Sequence, residues 1–184
     1  VSENAYLDGQ FGVMLFNDPA ENTEAAAHSA FKMTGGTVNA KWGFALSGNN
    51  TQSALSSAEI TGGTLKAVDE ATAIYWPMEG ALTVGGSAVI EGGTGIEAKM
   101  GTISITGGTI TGTGAYLADE PLSGGSQSEG SALLVASQMY GANEGQYIES
   151  PALTVTITGG SLSGRQGNAV TVYNTEDTEA QKTE

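Results

Sequence analysis

Apolar and polar residues alternate in short Thr-rich stretches that recur along most of the chain. The clearest is Ile105-Thr106-Gly107-Gly108-Thr109-Ile110-Thr111-Gly112. The same block is Met33-Thr34-Gly35-Gly36-Thr37-Val38, Ile60-Thr61-Gly62-Gly63-Thr64-Leu65, Ile90-Glu91-Gly92-Gly93-Thr94 and Ile157-Thr158-Gly159-Gly160-Ser161-Leu162. Period-two alternation marks strands that bury one face, with Ala58–Ile60, Ala88–Ile90, Ile103–Ile105 and Val155–Ile157 leading into the Gly-Gly pairs. After a variable gap comes a second short strand: Phe44-Ala45-Leu46, Ile74-Tyr75-Trp76, Ile96-Glu97-Ala98, Leu133-Leu134-Val135 and Val170-Thr171-Val172. Val13-Met14-Leu15 fits as an earlier member. The outer positions are apolar throughout and the middle ones mixed. Phe44, Ile74, Ile96, Leu133 and Val170 are therefore expected as one buried column. Leu46, Trp76, Ala98, Val135 and Val172 are expected as its companion, with Tyr75 and Glu97 facing solvent.

A block repeated this often reads as one structural unit stacked on copies of itself. Short strands between Gly-rich corners imply an all-β right-handed parallel β-helix, a solenoid of about five to six rungs. The Gly-Gly pairs are 27, 30, 15 and 52 residues apart in turn. The last interval is expected to hold one rung with two long inserted loops, residues 113–130 and 137–151. Residues 1–173 form a single domain on this reading. The Ala-rich stretch suggests a short helix near 21–30, and 174–184 reads as an acidic linker or disordered tail.

Composition narrows the partners. The chain has 184 residues, 28 of them Gly, no Cys, and a formal net charge of −14. That field repels nucleic acid and anionic membranes, so neither nucleic-acid binding nor membrane insertion is expected. Without Cys there are no disulfides and no thiolate metal sites. No run reaches the length of a membrane-spanning helix.

The run from Ala73 through Trp76, Pro77 and Gly80 to Gly85-Gly86, continuing from Gly95-Ile96-Glu97-Ala98 to Gly107-Gly108, resembles repeats in large surface proteins of gut Firmicutes. The resemblance covers most of the chain between residues 31 and 174. It implies a pectate-lyase-like β-helix on a bacterial cell surface or secreted from it, and an excerpt of a larger, exported protein. Such repeats occur in adhesins, stalks, carbohydrate-binding modules and enzymes alike.

Candidate chemistry is sparse. Polysaccharide lyases and hydrolases need grouped carboxylates, or acidic Ca²⁺ ligands with a basic residue nearby. Here Asp8, Asp18, Asp69, Asp119 and Asp177 are scattered, and Arg165 is the single Arg. The chain is read as non-catalytic. His28 has no companion ligand, and Asp69-Glu70 and Asp119-Glu120 lack the ligand density of a Ca²⁺ loop, so no metal and no cofactor are expected. The Gly-Gly pairs lack the Lys-Ser/Thr of a phosphate loop and read as corners. Thr34, Thr61, Thr106 and Thr158 form one expected ladder, and Thr37, Thr64, Thr94 and Thr109 another.

Aromatic residues remain. Tyr116, Tyr140 and Tyr147 lie in or beside the long loops, with Asp119 and Glu120 among them, and Tyr75 lies on a strand face. Together they form the candidate ligand-binding set, offering stacking surfaces and acceptors. The expectation is a monomeric binding or adhesion module that presents these loops to a glycan or a host protein. A structural stalk is the alternative, and a polysaccharide-active enzyme the third.

Overall fold

The computed structural model describes residues 1–16, 29–48, 56–68, 70–116, 129–136, 140–141, 147–148 and 153–173. Two parallel sheets share one core. The first has seven strands: β1 (Tyr6–Gly9), β3 (Ala30–Ala40), β5 (Ser57–Ala67), β7 (Ala81–Val84), β8 (Val89–Gly92), β10 (Gly101–Gly112) and β14 (Leu153–Gly164). Its order is β1-β3-β5-β7-β10-β14, and β8 also lies between β5 and β10. The second sheet has six: β2 (Val13–Leu15), β4 (Leu46–Gly48), β6 (Ile74–Trp76), β9 (Ile96–Ala98), β11 (Leu133–Ala136) and β15 (Val170–Tyr173). A separate antiparallel pair joins β12 (Tyr140–Gly141) to β13 (Tyr147–Ile148).

The chain passes from the first sheet to the second and back, so each ladder stacks like residues on like. Met33, Ile60, Val84 and Ile105 make one fully buried column in the first sheet. Val38, Leu65, Ile90 and Ile110 make a second. Leu46, Ile74, Ile96 and Leu133 oppose them from the second sheet, all fully buried, in one apolar cluster. Each such side chain contributes roughly 1.5–3 kcal/mol of burial. Trp76 is wholly buried beside Ala98, and its indole N–H donates to the Gly80 carbonyl at 3.3 Å.

The expected solenoid is not what forms. The Gly-Gly pair is no corner: β3, β5, β10 and β14 each run straight through theirs, 11 or 12 residues long. The register slips locally there, as between Ile105↔Ile157 and Thr106↔Gly159, and recovers by Thr109↔Ser161. Each repeat thus supplies one long and one short strand. These sort into two parallel sheets, not closed into a barrel, instead of a coil of rungs.

The alignment of repeats also changes. Val84 pairs with Ile60 and Ile105, and Val89 with Thr64 and Thr109. Gly85-Gly86, not Gly92-Gly93, is therefore the third Gly-Gly pair, and Val89 replaces Thr94 in the Thr ladder. One residue more separates Val84 from Val89 than separates Ile60 from Thr64, and this breaks the strand into β7 and β8. The second glycine of all five pairs has positive φ: Gly36 (79°), Gly63 (84°), Gly86 (57°), Gly108 (86°) and Gly160 (94°). An L side chain rarely adopts that conformation.

In the second sheet Leu46, not Phe44, stands beside Ile74, because β4 pairs two residues further along than expected. Val170 and Val172 are exposed, Val172 to 75%, because β15 is an edge strand. Ile96 faces inward as expected, but Glu97 and its partner Leu134 are also buried, so the middle positions are not uniformly solvent-facing. There is no helix among the described residues. Most of the 21–30 stretch and all of 174–184 lie outside them, and Ala30 opens β3.

Charged residues stitch neighbouring strands of the first sheet. Lys32 pairs with Glu59 at 2.9 Å, while Glu91 meets Lys66 at 2.7 Å and Arg165 at 3.2 Å. The Lys66 hydrogen bond holds the Glu91 carboxyl below the usual range; partial burial opposes this, and the Lys66 and Arg165 charges assist.

Two outcomes follow. Gly63→Ala places a Cβ 2.6 Å from backbone atoms of Gly35 and Gly36 at positive φ, and should destabilise by at least ~1–2 kcal/mol. Gly85→Ala meets only the Thr106 hydroxyl at 2.6 Å, which can turn aside. Urea denaturation should therefore show the smaller loss for Gly85→Ala, and equal losses would contradict the bulge. For Glu91, the folded pKa lies below the ordinary 4.5, so its contribution is present above that value and lost as pH falls through the folded one. The melting temperature of the parent should exceed that of Glu91→Gln at pH 7, and the gap should shrink below pH 4.5. A gap that persists unchanged at low pH would contradict the assignment.

Candidate ligand-binding site

The connections from the first sheet to the second carry an aromatic cluster. Phe11 lies between β1 and β2, while Trp42 and Phe44 lie between β3 and β4. Backbone bonds stack the two connections: Lys41 N–H donates to Gly9 O at 2.8 Å, Gly43 N–H to Gln10 O at 3.0 Å and Gly12 N–H to Phe44 O at 2.9 Å. Gly43 is required here. A Cβ on it would come 2.2 Å from the Phe11 ring, so only glycine lets that ring lie on the chain.

The rings form a continuous series. Trp42 meets Phe11 edge-to-face, with centroids 5.5 Å apart and planes at 85°. Phe11 lies 6.1 Å from Phe44, and Phe44 stacks on Tyr75 at 5.0 Å and 23°. Both contact types are favoured by the ring quadrupoles. Phe11, Phe44 and Tyr75 are half-buried, but Trp42 is 70% exposed, the largest ring left uncovered among the described residues. A hollow of about 310 Å³ lies beside it, lined by Phe11, Trp42, Gly43, Phe44, Glu70, Ala71 and Thr72.

Two of the residues that line it are polar. Glu70 is exposed, and no basic partner is found for it among the described residues. Thr72 is 2% exposed, and its hydroxyl has no hydrogen-bond partner among the described residues. The neighbouring ammonium of Lys41 is engaged by Asp8, which also accepts from Asn39 Nδ2 at 2.8 Å. The Lys41 hydrogen bond, ahead of that from Asn39, lowers the Asp8 pKa, and the same bond raises that of Lys41.

The sequence-derived set divides. Tyr75 belongs to the ring series. Tyr116 is 47% exposed, and Asp119 and Glu120 lie outside the described residues. Tyr140 and Tyr147 sit on the paired strands β12 and β13, where a plain loop was expected. Nothing described joins these residues into one groove with Tyr116. Phe11, Trp42 and Phe44 were missed. Their signal was an aromatic beside glycine just before two consecutive short strands, in Phe11-Gly12 and Trp42-Gly43-Phe44. His28 and Asp69 lie outside the described residues, and among those described no group of His, Cys, Asp or Glu could hold a metal. Likewise no described helix is long and apolar enough to cross a membrane.

No protein-family description, curated protein or solved structure matches the chain. Its chemistry has to be read from its own residues.

A second polar feature lies in the second sheet. Glu97 and Lys99 are both fully buried, with Nζ 3.0 Å from Oε1, although the pair lacks the alignment of a hydrogen bond. Nearby, buried Glu129 accepts from the Ser131 N–H at 3.1 Å and from the Thr171 hydroxyl at 3.4 Å. Its own N–H donates to Thr94 Oγ1 at 2.8 Å, tying the connections before β9 and β11 to strand β15. Glu129 is held by hydrogen bonds, and Lys99 is held by its ion pair with Glu97, so these groups read as structural. Removing one charge of a buried pair strands the other, so Lys99→Met should cost ~3–5 kcal/mol in urea denaturation. Adding Glu97→Leu should recover most of that loss. A double variant no more stable than Lys99→Met would show that the pair is not coupled in this way.

Proposed function

We propose that this chain is a non-catalytic binding module of an exported bacterial surface protein, and that it takes a glycan on the ring series around Trp42. The observation that carries this reading is the exposed Trp42 indole held edge-on by Phe11. A large apolar ring kept at the surface, next to a hollow with an acceptor and an unpaired hydroxyl, offers a sugar ring both stacking and hydrogen bonds. The ring series is built on stacked backbone connections, which keeps it rigid and limits the entropy lost on binding.

The test is a glycan array followed by calorimetry on the best hit. Trp42→Ala should weaken binding at least tenfold, ~1.4 kcal/mol, and leave the melting temperature nearly unchanged because the side chain is exposed. Full affinity in a folded Trp42→Ala, Phe11→Ala double variant would remove the site from this surface.

A further inference from the structure

The hollow beside Trp42 combines features that a neutral sugar does not need. It holds one carboxylate, Glu70, and none of the described residues lining it is basic. Lys41, next to Trp42 in the sequence, is taken up by Asp8. The rings that flank it present electron-rich faces, and the protein as a whole carries a formal charge of −14. Aromatic faces and an unpaired carboxylate in a negative field are the elements that recognise an ammonium group. An anionic sugar would be repelled by the same arrangement.

Thr72 adds the second, independent observation. The residue is 2% exposed, and its hydroxyl oxygen is buried with no hydrogen-bond partner among the described residues. Such a group destabilises the free protein, since burial removes water without replacing its hydrogen bond. A hydroxyl can accept from an N–H or O–H and donate to a ring oxygen. The oxygen is buried in the free protein, so pairing with an occupant of the hollow requires a turn about χ1. At about 310 Å³ the space is at the small end for ligand sites, which span about 300–1,000 Å³, and suits one ring.

Resting on the glycan reading above, we infer that the hollow selects an amino sugar: a hexosamine unit whose free, protonated amine pairs with Glu70 while its ring stacks against Trp42. The Thr72 hydroxyl then gains the partner that it lacks in the free protein. An N-acetylated unit has no positive charge to offer Glu70, and a glucose unit has neither charge nor amine. Selectivity therefore comes from the amine and its charge, and affinity for the ring itself from the indole.

The experiment is calorimetry of the whole chain against three tetrasaccharides of equal length and β-1,4 linkage: glucosamine, N-acetylglucosamine and glucose. At pH 6 and low salt, the glucosamine tetramer should bind at least tenfold more tightly than the other two, and added salt should erode the difference. Glu70→Gln should abolish that preference and leave the weaker glucose affinity unchanged. Thr72→Val should raise the melting temperature while weakening the glucosamine complex, a combination that a purely structural threonine would not give. Equal binding of all three sugars in a Trp42-dependent manner would overturn the amine preference and leave the glycan reading standing. Absence of binding to any of them, with tetralysine bound through Glu70, would overturn both. A preference for the acetylated tetramer, or one that survives Glu70→Gln, would overturn the assignment of Glu70.

Discussion

Five backbone bulges set the register of this protein. At Gly36, Gly63, Gly108 and Gly160 the chain adopts a left-handed conformation in the midst of Thr-rich strand, and at Gly86 it does so between β7 and β8. A side chain there would meet the carbonyl or another atom of the strand below: at Gly108, for example, a Cβ would lie 2.8 Å from Ala88 O. Bulge therefore stacks on bulge, and the residues on either side are fixed in phase. Because side chains alternate with period two, a slip of one residue would turn Met33, Ile60 or Ile105 toward water. The apolar columns, the charge ladders on the outer face and the position of the connecting turns all inherit this register.

How far the sequence discloses this depends on which signal carries it. Alternation made the parallel, in-register strands and most of the buried set legible, including Ile74, Trp76 and Ile96. The Gly-Gly pairs were legible as a repeat but not as a conformation. A glycine pair suits a corner or a bulge equally well, and only the ladder through Gly107-Gly108 shows that the strand continues. Local likeness also misled: Ile90-Glu91-Gly92-Gly93 looks more like the repeat than Val84-Gly85-Gly86 does, yet pairing places the latter in phase. Glu97 shows a different limit. Its burial depends on what covers the sheet's outer position and on Lys99 two residues away, neither of which period-two alternation records.

The candidate site was harder to read for a related reason. Tyr75 stood out because it sits in a strand whose facing direction could be inferred. Phe11 and Trp42 sit on connections between strands, where no periodicity assigns a direction; Phe44, expected inside a strand, also lies on a connection, and the three become neighbours only because consecutive connections stack. Large rings in an apolar-rich chain are usually core, as Trp76 is. The exposure of Trp42 is what separates the two tryptophans, and it follows from the path of the Lys41–Ala45 connection.

The same stacking bears on how the chain finds its structure. Most ladders join segments about 20 to 37 residues apart, such as Thr102↔Ala81 and Leu133↔Ile96. Contacts of that range form quickly compared with distant pairings in sheets. The longest span among the described ladders is that of β10 with β14, where Ile105 meets Ile157 across 52 positions. Relative to the 27-residue spacing of β3 and β5, that closure is about one doubling, which costs only ~0.6 kcal/mol of loop entropy. The β10–β14 ladder is correspondingly long, with ten paired positions against four for β10 with β7. A segment inserted at this joint adds little to the difficulty of folding, so this is the place in the chain where length can change most freely.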